Sequence, residues 1–373
     1  MRPPAFVAPI ALFGLLGLTP VQAETLLPPP PPPELRIHFI DVGQGAATLV
    51  ELPCGAMLID TGGEENNSFH SVPSLLAYLE AFFARRTDLN RVLDVLLLTH
   101  PHIDHVRGAT AVLQGFTVRS LVEGGREALQ TDAVVVMAGV HDFLRAHPEV
   151  EHTVVRLRDF PAPDAALRTP GLDPFLQCDG VDPSVQALWG ALDGDPGWGE
   201  NDYGGAHFDN DNNHSVVTRV DFGAASLLVT GDLEEIAIKE LVRTRGPLLD
   251  VDIYQVGHHG SHNGTTTDLL AAMTPQWAVM EVGPSTRKHS WTAWAYGHPR
   301  EKLLAMLESG VTGPRTEALR PVGIAMKSFV DTPIDHAIYA TGWDGSVVLV
   351  ADAEGRIRVG TADPVPAPPR LPE

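Results

Sequence analysis

A chain of 373 residues, 44% of them hydrophobic, can bury a substantial core and is too apolar to be wholly disordered. Its 47 acidic against 26 basic residues leave a formal charge of -21, which excludes non-specific binding to nucleic acid or anionic membrane unless a local patch or a metal offsets the field. Two cysteines, Cys54 and Cys178, exclude a disulfide scaffold and a cysteine-only zinc site, whereas sixteen histidines, several close together, leave metal chemistry open.

Residues 1–23 read as a secretory signal peptide. Arg2 gives a positive start, Phe6 to Leu18 is apolar, and Val21-Gln22-Ala23 resembles a small-residue cleavage site. An uncleaved anchor is the other reading, but the stretch contains Pro9 and falls short of the ~20 residues a bilayer span needs. Export, to a periplasm or fully secreted, would permit a Cys54–Cys178 disulfide. Residues 24–34 form a linker in which Pro28 to Pro33 favours stiff polyproline II, so the folded domain begins near Glu34.

Leu35 to Asp41 alternates like a strand, and Val42-Gly43-Gln44-Gly45 makes a tight turn. Ala46 to Leu52 and Ala56 to Asp60 pair as a hairpin around Pro53-Cys54-Gly55. Val72 to Arg86 has helical spacing, and Val92 to Leu98 is a continuous apolar run suited to a strand buried on both faces. Further helices are expected at 128–146, 233–245, 265–273 and 299–309. Strands are expected near 117–122, 152–157, 214–222, 225–230, 251–256 and 276–282. The alternation predicts an α/β protein with helices covering a layered sheet.

Residues 160–213 hold ten acidic residues against one basic, Arg168, and read as an irregular acidic insertion. Asp193-Gly194-Asp195 lacks the glutamate that closes a calcium loop, so it reads as part of that loop. Residues 311–362 are expected to form a C-terminal β extension. In it, Ala337 to Thr341 and Ser346 to Asp352 make a hairpin turning at Asp344-Gly345, and Arg356 to Gly360 adds a third strand. Residues 363–373, rich in proline, read as a disordered tail.

The densest chemical signal is Thr99-His100-Pro101-His102-Ile103-Asp104-His105, directly after the buried apolar run. A loop leaving a strand end can fold so that His100, His102, Asp104 and His105 converge on one small volume. Imidazole and carboxylate are the donors that suit zinc and its neighbours. Asp232 follows another apolar strand and precedes a helix, where it is either a metal ligand or a helix N-cap. His298, with Trp291, Trp294 and Tyr296, is either part of the site or an ordinary helix start with its tryptophans in the core. In the first case the aromatics could stack on a base or sugar, and His298 could steady charge or protonate a leaving group. His70, His141, His147 and His152 read as surface or packing residues.

His100-x-His102-x-Asp104-His105 resembles the H-x-H-x-D-H signature of the metallo-β-lactamase superfamily. Ile59-Asp60-Thr61-Gly62-Gly63, Thr230-Gly231-Asp232 and Gly257-His258-His259-Gly260-Ser261 resemble its remaining motifs, in the same order over residues 35–310. Within the superfamily, three further segments resemble the hydrolase domain of the ComEC DNA-uptake channel and its stand-alone secreted relatives. They are His38-Phe39-Ile40-Asp41-Val42-Gly43-Gln44-Gly45, Asn212-Asn213-His214-Ser215 and Tyr296-Gly297-His298-Pro299. The channel's membrane helices have no counterpart, so a transport role is not implied and no integral membrane partner is evident.

The resemblance implies a four-layer αββα sandwich carrying the insertion and the C-terminal extension. It implies two adjacent divalent metals, zinc with manganese as the alternative. His100 and His102 would hold the first, Asp104, His105 and His258 the second, and Asp232 would bridge them. Asp60 would orient a ligand histidine from behind. His259 could replace His258, and His214 is either a further ligand to the first metal or its hydrogen-bonding neighbour. Asp104 and His298 are the catalytic candidates. A water shared by two metals would be acidified and would attack an electrophilic centre. The expected substrate is a phosphodiester, as a nucleic acid, a nucleotide or a small molecule. Ester, lactone or β-lactam hydrolysis is the alternative, and an inactive binding protein is a third reading.

Overall fold

The computed structural model describes residues 1, 32–175, 178, 180–194, 208 and 210–365. The signal-peptide segment, most of the 24–34 linker, the end of the 363–373 tail and residues 195–207 of the insertion lie outside the described residues.

The chain begins with β1 (Glu34–Phe39), β2 (Thr48–Leu52) and β3 (Gly55–Ile59), then a small hairpin of β4 (Glu65–Asn66) and β5 (Phe69–His70). Next come α1 (Ser71–Arg85), β6 (Val92–Leu98), α2 (Ile103–Val106), α3 (Ala109–Gly115), β7 (Thr117–Glu123), α4 (Thr131–Ala146) and β8 (Glu151–Val154). The second half runs through β9 (Ser184–Trp189), β10 (Val217–Phe222), β11 (Ala225–Val229), α5 (Glu235–Arg245), β12 (Ile253–Val256), α6 (Thr267–Met273) and β13 (Trp277–Met280). It closes with α7 (Ala293–Tyr296), α8 (Glu301–Gly310), β14 (Pro314–Ala325), β15 (Ser328–His336), β16 (Ile338–Ala340), α9 (Thr341–Asp344), β17 (Val347–Asp352) and β18 (Ile357–Val359).

Eight strands form one sheet in the order β18-β17-β1-β2-β3-β6-β7-β8, and six form another in the order β16-β13-β12-β11-β10-β9. Strand periodicity explains how they stack. In β6, Val95 and Leu97 face the second sheet, where they meet Leu227 and Val229 of β11 and Ile253 of β12. The intervening Leu96 and Leu98 face outward, against Leu75, Leu79 and Phe82 of α1 and Val140 of α4. In β12 the residue after Ile253, Tyr254, faces the other way, towards Ile236 and Leu241 of α5 and Leu303 of α8. Helices therefore cover both outer faces and the fold has four layers, αββα. Central strands buried on both sides have no polar face to show, which is why β6 reads as an unbroken apolar run.

The structure departs from the sequence expectations in two places. The 160–213 insertion is not irregular throughout, because β9 lies inside it as the edge strand of the second sheet, paired antiparallel with β10. Ala337 to Asp352 is not a hairpin. β16 runs parallel to β13 in one sheet, whereas β17 runs antiparallel to β1 in the other, and α9 carries the chain across. The hairpin of this region is β14–β15, and β18 does add to β17.

Cys54 and Cys178 are joined by a disulfide, with Cα atoms 5.0 Å apart and a sequence separation of 124. It ties the β2–β3 turn to the insertion. Replacing both cysteines by alanine is expected to cost about 2–4 kcal/mol, because the bond removes loop entropy from the unfolded chain. Guanidinium unfolding of the double variant against the wild type measures it, and an unchanged midpoint would contradict the estimate.

Candidate metal centre

The candidate site lies where strands of both sheets end together. Asp60 directly follows β3, Thr99-His100 follows β6, Thr230-Gly231-Asp232 follows β11 and Gly257-His258-His259 follows β12. The single turn of α2 presents Asp104 and His105, and His102 stands at its N-cap, where its carbonyl accepts from the His105 and Val106 amides. Two glycines let the backbone close under this turn. A Cβ at Gly63 would lie 2.1 Å from Asp104 Cα, and one at Gly45 would lie 2.5 Å from the Asp104 carbonyl oxygen. No side chain fits there.

Donor atoms of Asp104, His105, Asp232 and His259 all lie within 4.8 Å of one another. His105 Nε2 is 3.2 Å from Asp232 Oδ1 and 3.1 Å from His259 Nε2, while His259 Nε2 is 3.4 Å from Asp104 Oδ2. Beside this cluster, His100 Nε2 and His102 Nδ1 face each other at 3.1 Å. The far ring nitrogens are held from behind. His105 Nδ1 donates to Asp60 Oδ2 at 2.7 Å, and His259 Nδ1 donates to the Glu281 carbonyl at 2.8 Å, so in each ring Nε2 is left to face the cluster. Asp60 is fixed in turn by the Thr99 amide and hydroxyl.

The two carboxylates suit a cation. Burial opposes ionisation of Asp232, yet the imidazoles of His259 and His105 hold its carboxyl well below the ordinary range. Asp104 is likewise depressed, against burial, by its hydrogen bond from His259 and by His105. Burial, together with His105 and His102, pushes His100 well below its usual value and keeps it a neutral donor. Burial also disfavours charge on His105, but Asp232 and Asp60 lift it well above the ordinary histidine value. Ionised carboxylates and imidazoles converging in this way could hold divalent ions.

Under the cluster, burial pushes Glu281 up to about 7 even though its carboxylate accepts from the Ala47 amide, the Thr48 hydroxyl and the Gln255 amide. The site opens into a cleft of about 760 Å³ whose lining includes His102, Asp104, Asp232, His258, His259 and His298, with Arg107 and Arg300 as cations.

A family model described as metallo-beta-lactamase superfamily matches residues 40–279, more than half of the sequence. The chain belongs to the metallo-β-lactamase superfamily. ComE operon protein 3 of Bacillus subtilis (strain 168) is 26% identical over 296 residues, which are 75% of this chain and 31% of that protein. Recombination protein 2 of Haemophilus influenzae is 26% identical over 273 residues, 70% of this chain and 25% of that one. The chain thus spans about a third or less of the curated relatives it matches. Among solved structures, the metallo-beta-lactamase fold protein YhfI from Bacillus subtilis is 10% identical with a TM-score of 0.40, covering 75% of this chain and 94% of that chain.

Within this metallo-β-lactamase superfamily member, three sequence-level alternatives find their geometry. Asp232 is not a helix N-cap, since α5 starts at Glu235 and Glu234 holds the N-cap position. His259, not His258, lies in the tight donor cluster. Both residues have positive φ, 51° and 50°, and the turn aims His259 inward while His258 stands 3.8 Å from Asp232 on the cleft side. His214 is no free ligand, because its Nδ1 accepts from the Leu192 amide at 3.0 Å and its Nε2 donates to the Phe208 carbonyl at 2.8 Å.

The neighbouring Ser215 is the residue of that motif that reaches the site. Its hydroxyl lies 3.3 Å from His100 Nδ1 and accepts from the Asp232 amide at 3.2 Å. Sequence reading passed over it because a histidine stood next to it. The Glu281 carbonyl was also hidden, since no side-chain pattern marks a backbone acceptor.

His298 lines the cleft wall, with its ring stacked on Tyr296 at 5.4 Å and 6.4 Å from the ring of His258. Burial and then His258 push it well below its ordinary value. It therefore stands in the wall as a neutral imidazole.

Asp60→Asn is expected to lower metal affinity by about 10- to 100-fold, since the amide no longer fixes the His105 tautomer. Titration of the apo protein with zinc measures this, and an unchanged affinity would contradict the role.

Proposed function

We propose that this chain hydrolyses phosphodiesters with two divalent ions, zinc or manganese, and that nucleic acid or a nucleotide is its preferred substrate. One observation carries the reading. The donors His102, Asp104, Asp232 and His259 line a cleft with His100 and His105 buried behind them, and that cleft also presents Arg107 and Arg300 beside Glu64, Glu65 and Asp132, in a chain of net charge -21. Guanidinium groups over an acidic protein suit an anionic substrate, and a diester brings its own negative charge. When bound, the ions would acidify water and neutralise phosphoryl charge.

In this reading His100 and His102 hold one ion, and Asp104, His105 and His259 hold the other. Asp232 would bridge them: its carboxylate lies 3.2 Å from His105 Nε2 and 3.5 Å from His259 Nε2, and the Ser215 hydroxyl that accepts from its amide lies 3.3 Å from His100 Nδ1. Asp60 and the Glu281 carbonyl orient His105 and His259. Neutral His298 is placed to hydrogen-bond a substrate oxygen from the wall. The Cys54–Cys178 disulfide supports a site of action outside the cytoplasm, where such bonds persist. Among the described residues, no helix is long and apolar enough to cross a membrane.

A substrate panel tests the proposal. Metal-loaded protein is expected to cleave a chromogenic phosphodiester and single-stranded DNA or RNA, and to leave lactones and β-lactams largely untouched. Efficient lactone or β-lactam turnover with none on diesters would reverse the assignment.

A further inference from the structure

We propose that Trp291, Trp294, Tyr296 and Met326 form a stacking subsite for an unpaired nucleobase beside the scissile phosphate. The proposal rests on the phosphodiester reading. A second hollow of about 220 Å³ joins the metal cleft, and Trp291, Tyr296 and Met326 line both. Trp291 is 75% exposed and Met326 61%, so neither is core, and together they leave a large apolar surface uncovered. Trp291 has φ +59°, a left-handed conformation that a bulky side chain rarely adopts. Its ring meets Tyr296 edge-on at 6.2 Å, and Tyr296 in turn stacks on His298, so the shelf runs continuously to the wall of the cleft.

The shelf is pinned by the β14–β15 hairpin. At the turn of that hairpin the Lys327 amide donates to the Trp294 carbonyl at 3.0 Å, and the Lys327 ammonium lies 5.1 Å from the centre of the Trp294 ring.

The occupant follows from the combination. The exposed Trp291 ring, backed by the partly buried Trp294 and Tyr296, takes a planar partner, and Lys327 and Arg300 flank it with positive charge that would follow a phosphate backbone. An apolar peptide would leave the cations without partners, and a free phosphate would leave the rings bare. Bases within a duplex are already stacked and paired, so the subsite selects a single strand.

The test uses the metal-loaded full chain and two labelled phosphorothioate strands of equal length, one of thymidine and one abasic, read by fluorescence anisotropy. The wild type is expected to bind the thymidine strand about 5- to 150-fold more tightly than the abasic one, the range for stacking of one base. Trp291→Ala is expected to lose that preference and Trp291→Phe to keep most of it. Retention of the preference in Trp291→Ala overturns the subsite, as does its absence in a wild type that cleaves methyl p-nitrophenyl phosphate. A metal-loaded wild type that cleaves no diester overturns the phosphodiester reading itself, and the subsite falls with it.

Discussion

Replacing Asp232 by alanine is expected to lower diester turnover by about a thousandfold or more, because in the proposed two-ion centre its side chain would serve both halves. Its Oδ1 lies 3.2 Å from His105 Nε2 and its Oδ2 3.5 Å from His259 Nε2, while its charge also reaches His100. Without it, imidazoles gathered on one spot lose the carboxylate that balances a divalent ion. The variant should also retain less metal, which elemental analysis after desalting measures. Asp232 is 3% exposed and its neighbours are polar, so circular dichroism must show that the variant folds. A folded Asp232→Ala with near-wild-type turnover would remove the bridging role.

Glu51→Ala is expected to destabilise the protein by about 3–5 kcal/mol, the cost of stripping a buried charge cluster of its counterion. Glu51 is 3% exposed at the end of β2. Its carboxylate accepts from Arg85 at 2.7 and 2.8 Å, from Arg86 at 2.8 Å and from His38 at 3.0 Å. Alanine would leave the Arg85 and Arg86 guanidinium groups without this acid and His38 without its acceptor, with Asp363 the remaining acid on Arg85. The effect should lie towards the lower end, since Arg85 is partly solvated.

The same cluster sets a pH dependence. Burial opposes ionisation of Glu51, but the hydrogen bonds from Arg85, His38 and Arg86 hold its carboxyl far below the ordinary glutamate range. A depressed carboxyl contributes fully above its unfolded value, and the contribution is lost as pH falls through the folded one. The wild type should therefore lose stability on acidification more steeply than Glu51→Ala. Denaturant midpoints across that range measure both effects, and parallel curves would contradict the assignment.

Much of this organisation could be read from the chain because local signals agreed. Leu75, Leu79 and Phe82 share one face of a 3.6-residue period, and Val92 to Leu98 has the unbroken apolar character of a doubly buried strand. The histidine and aspartate motifs stood at strand ends, where the fold gathers them. Other features depended on contacts that sequence patterns do not carry. β9 is buried along most of its length, yet it lies in an acidic, glycine-rich stretch whose composition masked it. β16 and β17 alternate like hairpin partners, and only their pairing with distant β13 and β1 separates them. β14 and β15 contain Pro314, Pro321 and Pro333 and are largely exposed, so no apolar face announced them. The choice between His258 and His259 turned on two positive φ angles and the Glu281 carbonyl, neither of which adjacency in sequence reveals.

The most direct test of the account is turnover of bis(p-nitrophenyl) phosphate by the purified chain before chelation, after chelation, and after zinc or manganese is restored. The account predicts activity that disappears with the metal and returns with it, at close to two ions per chain. Turnover indifferent to chelation, or a protein carrying both ions that cleaves no phosphodiester, would contradict it.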